Sequence, residues 1–427
     1  MTTRKRFSLN EYYSDFNLKW LVYFENIYTC EGMWNRHDDD SRKWLYYCCY
    51  SSVSIFVIFV VRTMGCVHRV WLTKEDFMAC TMSSSFAAGY LCTIMKNINL
   101  IMRRSDIVFI LETFNWERNI SCTREIATHR NRCVTGAIKT TKKFTFIWAI
   151  IVTLYNVFFF YSSLVENGWS IDALPISDTP LKRIARGHNF WIVLTLDFIT
   201  WSAFTYTILA HDSLFLSLMI QTSAQLNILN HRLKNCANDR AVRYGEDTPD
   251  ADVIQFDCCE INIKTESLDP NEELIKCIQH YQQIFQIVKT LQSVFGSILL
   301  PQLISSLTMM SLIGFHVFVA KTIDLSKPPK AIFITVFFES LLCQLFAFCW
   351  SGDCIIEESD KTSTSLYQSC WYRGNRSFRT NVKVFSSLVE NPMVVSAVGL
   401  FDLSVITYKN IIIKSYSAMT VLKKAYK

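Results

Sequence analysis

The chain has 427 residues, half of them hydrophobic and 14% aromatic, with only 12 glycines and 8 prolines. That is too apolar and too poor in turn residues for a water-soluble domain of this size. Forty-three lysines and arginines against 37 aspartates and glutamates leave a formal net charge of +6. The basic residues gather at the edges of apolar runs, where they read as topology signals and headgroup contacts, so no nucleic-acid partner is expected. Several runs reach the roughly 18 to 20 residues that a bilayer crossing needs. The fold class is therefore all-α, a polytopic membrane protein.

Residues 1–43 form a polar arm without a secretory h-region. Within it Phe16, Trp20, Leu21, Phe24, Ile27 and Tyr28 recur at helical spacing, which predicts an amphipathic or re-entrant helix at the membrane interface. Seven transmembrane helices are expected to follow: Trp44–Met64, Phe77–Met95, Phe144–Val165, Phe190–Ala210, Phe295–Ala320, Ala331–Trp350 and Leu403–Lys423. The connections alternate, short after the first, third and fifth spans and long after the second, fourth and sixth. Leu214, Leu218, Gln221, Gln225, Leu229 and Leu233 keep a helical rhythm, so the fourth helix is expected to run on past the membrane. Pro301 stands in the first turns of the fifth span as a potential kink.

Arg130, Arg132, Lys139, Lys142 and Lys143 crowd the start of the third span, and the fifteen residues after it contain no lysine or arginine. By the positive-inside rule the N-terminus is cytoplasmic, and an odd number of crossings puts the C-terminus outside. This inverts the arrangement of a G-protein-coupled receptor. The sequons at Asn119 and Asn375 would then be cytosolic and unused.

Sixteen cysteines do not make a disulfide framework. Cys48, Cys49, Cys92, Cys343 and Cys349 lie inside spans as small hydrophobes, and Cys236, Cys258 and Cys259 read as free thiols in a polar loop. There is no C-x-x-C pair, metal-ligand spacing, glycine-rich phosphate loop or nucleophile elbow. The expectation is a chain that is not an enzyme, with no metal and no cofactor. Asp197 and Glu339 are acids within expected spans, which marks them for structural pairing or for ligand contact and gating.

The last span is laced with polar groups. At helical spacing Thr407, Asn410, Lys414, Ser417 and Val421 share one side. A lysine at the centre of a lipid-exposed helix costs about 2.5 to 3.5 kcal/mol. The stripe is thus expected to line an aqueous path or to pack inside a bundle.

Phe348-Cys349-Trp350-Ser351-Gly352, with Glu358-Ser359, Tyr367 and Trp371-Tyr372, resembles the signature of the insect odorant receptor family. Thr407-Tyr408, Lys414-Ser415-Tyr416-Ser417 and Thr420-Val421-Leu422 are similar to its last helix, and His280-Tyr281 and His211-Asp212 through His231-Arg232-Leu233 fit it too. The resemblance implies the ligand-tuning subunit of an odorant-gated nonselective cation channel in the plasma membrane of olfactory neuron dendrites. Such subunits assemble with a shared co-receptor, as a tetramer, in membrane lipid.

The division it implies is an arm (1–43), six helices with a ligand pocket (44–350), a cytoplasmic anchor (351–401), and a pore helix with a short tail (402–427). The pore-lining candidates are Thr407, Asn410, Lys414, Ser417 and Val421. In that family the last helix is broken, and Asn391-Pro392 supplies a break here, with Ser377–Glu390 as its cytoplasmic half.

The implied pocket lies among helices two to six in the outer half of the membrane and would take a small volatile apolar ligand. Its candidates are the aromatics Phe158, Phe159, Phe198, Trp201, Phe333 and Phe337, with Tyr155 and Ser162 adding hydroxyls. Tyr161 and Trp191 stand in the same outer aromatic region. A gustatory-type channel subunit is the nearer alternative, disfavoured because Lys414-Ser415 stands where that family has Gln-Phe. A G-protein-coupled chemoreceptor is the other. Against it, Glu166-Asn-Gly follows the third helix in place of Asp-Arg-Tyr, and Val395 replaces the tyrosine after Asn391-Pro392.

Overall fold

Four helices longer than a bilayer is thick make up more than half of the described residues. The computed structural model describes residues 56–116, 124–171, 174, 185–236, 270–318 and 328–426, together with Tyr46, Cys49, Tyr50, Ser51 and Val53. The expected interfacial helix within 1–43, most of the first span, the sequon at Asn119, and Cys258 with Cys259 lie outside the described residues. A π-helical stretch, Phe56–Val61, leads into α1 (Arg62–Leu72). Then come α2 (Phe77–Met102), α3 (Arg104–Trp116), α4 (Arg124–Asn167), α5 (Phe190–Asn235), α6 (Pro270–Phe318) and α7 (Pro328–Tyr367). A short helix α8 (Arg376–Leu388), a two-residue hairpin of β1 (Ser396–Ala397) and β2 (Phe401–Asp402), and α9 (Val405–Tyr426) complete the order.

The four helices α4 to α7 hold 44, 46, 49 and 40 residues. At 1.5 Å per residue they are about 60 to 74 Å long, twice the roughly 30 Å of a hydrocarbon core. Four stretches within them, Glu125–Val165, Phe190–Asn235, Pro270–Val317 and Ala331–Tyr367, are long and apolar enough to cross a membrane. Each is apolar in one half and charged in the other. The expected third to sixth spans fall in the apolar halves, and the second and seventh overlap α2 and α9.

The long connections expected between spans are therefore largely helix, and α5 runs on as its rhythm required. The helix that carries the end of the expected first span runs on past Met64 to Leu72, and Arg62 is buried within the bundle. Pro301 sits inside α6 without ending it.

Side-chain bonds bring all the charged halves to one end. At the start of α4, His129 meets Asn227 near the end of α5 at 3.1 Å, and its ring stacks on His231 with centroids 4.0 Å apart. Asn227 and Asn230 donate to Glu358 on α7, and Arg232 pairs with Glu273 on α6. α5 is the axis of the bundle: it packs most heavily on α4 and α7, while α6 packs on α2 and seats α9. Its charged half is buried almost continuously from Leu209 to Thr222, which is why a stretch that leaves the apolar zone still carries an apolar rhythm.

The end of the chain is clamped onto this bundle. Asn375 caps α8, its Oδ1 accepting from the Phe378 amide at 2.8 Å, and Phe378, Val382 and Phe385 bury the inner edge of that helix. Tyr281 donates to the Leu388 carbonyl at 3.1 Å, where α8 ends. The Met393 amide donates to Ser359 Oγ at 2.8 Å, just past Asn391-Pro392. The Gln292 side chain makes two 2.7 Å bonds to the backbone of Ser396, as a strand neighbour would. Between β1 and β2 both Val398 (φ 53) and Gly399 (φ 71) are left-handed, a conformation that glycine adopts freely and valine does not.

Candidate functional site

Four helices converge on an aromatic cage. Tyr155 and Phe159 from α4, Trp201 and Phe204 from α5, Phe333 and Phe337 from α7, and Phe86 and Tyr90 from α2 face one another. Phe159 stacks on Trp201 with centroids 4.2 Å apart, Tyr90 on Phe204 at 3.9 Å, and Phe86 on Phe337 at 5.6 Å. Tyr155 lies 5.5 Å from Phe333 and 5.4 Å from Phe337. Each such pair contributes about 0.5 to 1.5 kcal/mol beyond simple burial.

Of the residues expected from the sequence, Tyr155, Phe159, Trp201, Phe333 and Phe337 come together in the cage. Ser162 is buried beside it, its hydroxyl donating to the Phe159 carbonyl at 3.0 Å. Phe198 sits on the outer edge, 38% exposed and edge-on to Phe160. Phe158 is half-buried against the core. Tyr161 and Trp191 point away from the bundle, 48% and 62% exposed.

Sequence reasoning missed Phe86, Tyr90, Phe160 and Phe204, and it missed Arg62. The Arg62 guanidinium is buried against Asp197 in an ion pair and also donates to Thr200. Asp197 is thus structurally paired. Glu339, the other acid, lies on an exposed face of α7 close to Cys343. An arginine just inside the end of one apolar run, with an aspartate in another, is the signal that was available: charges buried in membrane bundles pair with one another.

A second polar layer lies below the cage. Lys96 of α2 bonds Asp212 of α5 at 2.6 Å, and Gln344 of α7 donates to the other carboxylate oxygen. His211 bonds Asn97, and Cys92 donates to Gln302 at 3.2 Å. A cavity of about 30 Å³ opens here, lined by Lys96, His211, Asp212, Phe295, Gln302 and Phe348, which is room for about two waters. Three helices meet at one carboxylate, so this layer ties the cage to the charged end.

The last helix is seated along one narrow seam. Ile411, Ser415 and Met419 are buried at four-residue spacing, with Tyr408 and Ile412 half-buried beside them. Asn410, Lys414, Ser417 and Val421 are exposed and Thr407 is half-exposed. The predicted stripe thus faces away from the subunit's own bundle, together with Lys409 and Tyr416. Lys414 Nζ lies 5.8 Å from the centre of the Phe401 ring. The turn leading into α9 rests on Gly352, where an added Cβ would stand 2.3 Å from the Leu403 carbonyl oxygen. That close approach is the physical content of the Trp350-Ser351-Gly352 motif.

A family model described as 7tm odorant receptor matches residues 76–416. The chain belongs to the 7tm odorant receptor family. Odorant receptor 13a of Drosophila melanogaster is 23% identical over 78% of this chain and 77% of its own length. Odorant receptor 85a of the same fly is 19% identical over 89% and 87%. Odorant receptor Or2 of Anopheles gambiae matches a shorter part, 23% identical over 36% of this chain and 39% of its own. The solved structure of the insect olfactory receptor OR5 from Machilis hrabei, in complex with eugenol, superposes with a TM-score of 0.73. It covers 95% of this chain and 98% of that one at 12% identity, a likeness of fold. An odorant receptor of this family is a receptor of the membrane, and its four long apolar helices agree with that.

Proposed function

We propose that this odorant receptor is the ligand-binding subunit of a heteromeric, odorant-gated, nonselective cation channel, assembled as a tetramer with a co-receptor. It crosses the plasma membrane of olfactory neuron dendrites seven times, N-terminus inside and C-terminus outside. A small volatile ligand enters the cage bounded by Tyr155, Phe159, Trp201, Phe333 and Phe337, with Phe158, Ser162 and Phe198 at its margin. Thr407, Asn410, Lys414, Ser417 and Val421 line the conducting path.

The observation that carries this reading is the one-sided seating of α9. Its seam buries Ile411, Ser415 and Met419, and its remaining face presents Lys409, Asn410, Lys414 and Ser417. In lipid each such lysine costs about 2.5 to 3.5 kcal/mol, and that cost falls away when the face meets water between subunits.

A ligand opens the path only by binding the open arrangement better than the closed one. A micromolar odorant has about 8 kcal/mol in total, so the cage shifts a modest bias. The polar layer at Asp212 and the clamp at Gln292 and Gly352 connect cage to α9 physically.

The test uses channels co-expressed with a co-receptor. A charged thiol reagent applied outside is expected to reduce current through Ser417→Cys channels and to leave native current intact. Unaltered Ser417→Cys current after complete labelling would remove the pore assignment. Epitope tags at the two ends are expected to be reached outside at the C-terminus alone, and the opposite pattern would favour a G-protein-coupled topology.

A further inference from the structure

The cage has one polar corner, built where α1 meets α5. Among the described residues, three buried donors there have no partner: Arg62 Nη1, Tyr90 Oη and Trp201 Nε1. They share one side of α5, since Asp197 and Thr200, which hold Arg62, lie within a turn of Trp201, and Phe204, on which Tyr90 stacks, lies within the next. Trp201 and Tyr90 rings are 6.1 Å apart, and Arg62 and Asp197 are within electrostatic reach of the Tyr90 hydroxyl. A buried donor without an acceptor is costly, and native interiors seldom leave one so. Here three stand around the stacked faces of Phe159, Trp201 and Phe204.

The groups differ in what they offer. Arginine and the indole N–H only donate, and the phenol donates or accepts. Arg62 is already neutralised by Asp197, so the corner carries no net positive charge. A carboxylate would meet the Asp197 charge in a desolvated site, and an ammonium would meet Arg62. A hydrocarbon would leave all three donors as they are.

We infer that this corner selects neutral ligands carrying an acceptor oxygen (a ketone, ester or ether) on an apolar body, with Trp201 and Tyr90 donating to that oxygen. The inference rests on the cage being the ligand site, as proposed above.

The experiment records currents from the receptor co-expressed with a co-receptor, using size-matched probes: acetophenone with ethylbenzene, and 2-octanone with octane, plus benzoate and 1-phenylethylamine. Each ketone is expected to act at a tenfold or more lower concentration than its hydrocarbon, with benzoate and the amine inactive. Tyr90→Phe keeps its ring and removes the hydroxyl, and Trp201→Phe removes the indole N–H while leaving a smaller aromatic ring. Each is expected to raise the half-maximal ketone concentration about three- to tenfold more than that of the matched hydrocarbon, the scale of one hydrogen bond. Surface labelling verifies folding of the variants.

Equal potency of ketone and hydrocarbon, or equal shifts for both in the variants, overturns the inference. So does activation by the amine or benzoate with silence to ketones. In these cases the cage reading stands if Phe159→Ala and Phe333→Ala still alter the responses. Responses untouched by Phe159→Ala and Phe333→Ala, or silence to every probe from receptor at the surface, overturn both.

Discussion

Replacing Asp197 by leucine is the sharpest perturbation of the bundle. Both partners are buried, with side chains 6% exposed for Arg62 and fully enclosed for Asp197. Asp197→Leu strands the buried guanidinium without a counter-charge, its acceptors reduced to the Thr200 hydroxyl and the backbone carbonyl of residue 197. Removing one member of a buried ion pair costs about 3 to 5 kcal/mol, roughly a hundred- to several-thousandfold in the folded ratio. That is a large share of the roughly 5 to 15 kcal/mol that holds a typical domain together.

The double variant Arg62→Met/Asp197→Leu removes the stranded charge and fills the space with apolar atoms. It is expected to recover most of the loss, because desolvation of both ions is no longer required. The assay is the thermal transition of purified receptor in lipid nanodiscs, with surface expression alongside. If Asp197→Leu melts with the native receptor, or the double variant melts below Asp197→Leu, the pair is not what joins α1 to α5.

Three further outcomes follow from the clamp and the charged end. Gly352→Ala drives a Cβ toward the Leu403 carbonyl, so α9 must shift. A loss of about 1 to 3 kcal/mol and reduced current per surface channel are expected, and unchanged melting and current would contradict the close approach. Gln292→Leu removes both bonds to Ser396; it should cost about 1 to 3 kcal/mol in melting, with Gln292→Glu retaining part of the loss because its carboxylate only accepts. At the end of α5, burial and then the neighbouring Cys277 push the Cys236 thiol up to about 12. The reactive thiolate is therefore scarce at neutral pH. Maleimide labelling of Cys236 should be slow at pH 7.5 in folded receptor, faster as pH rises, and fast once the protein is denatured.

Much was legible along single helices. The alternation of apolar and charged stretches, the rhythm from Leu214 to Leu233, the break at Asn391-Pro392 and the stripe from Thr407 to Val421 are periodicities, and periodicity is written in one chain segment at a time. Cys236 shows the limit of such reading: a thiol expected in a polar loop is packed at the end of α5 because that helix outlasts the membrane.

The sequence by itself determined an all-helical membrane protein, its apolar stretches, and the polar side of its final helix, since hydropathy and spacing are local properties. Only the tertiary structure decided that Arg62 meets Asp197, that Tyr90 and Phe86 complete the cage, that Lys96 and Gln344 share Asp212, and that Gly352 makes room for Leu403. Each is a contact between segments far apart in the chain, and which segments become neighbours depends on packing of whole surfaces that no local pattern encodes.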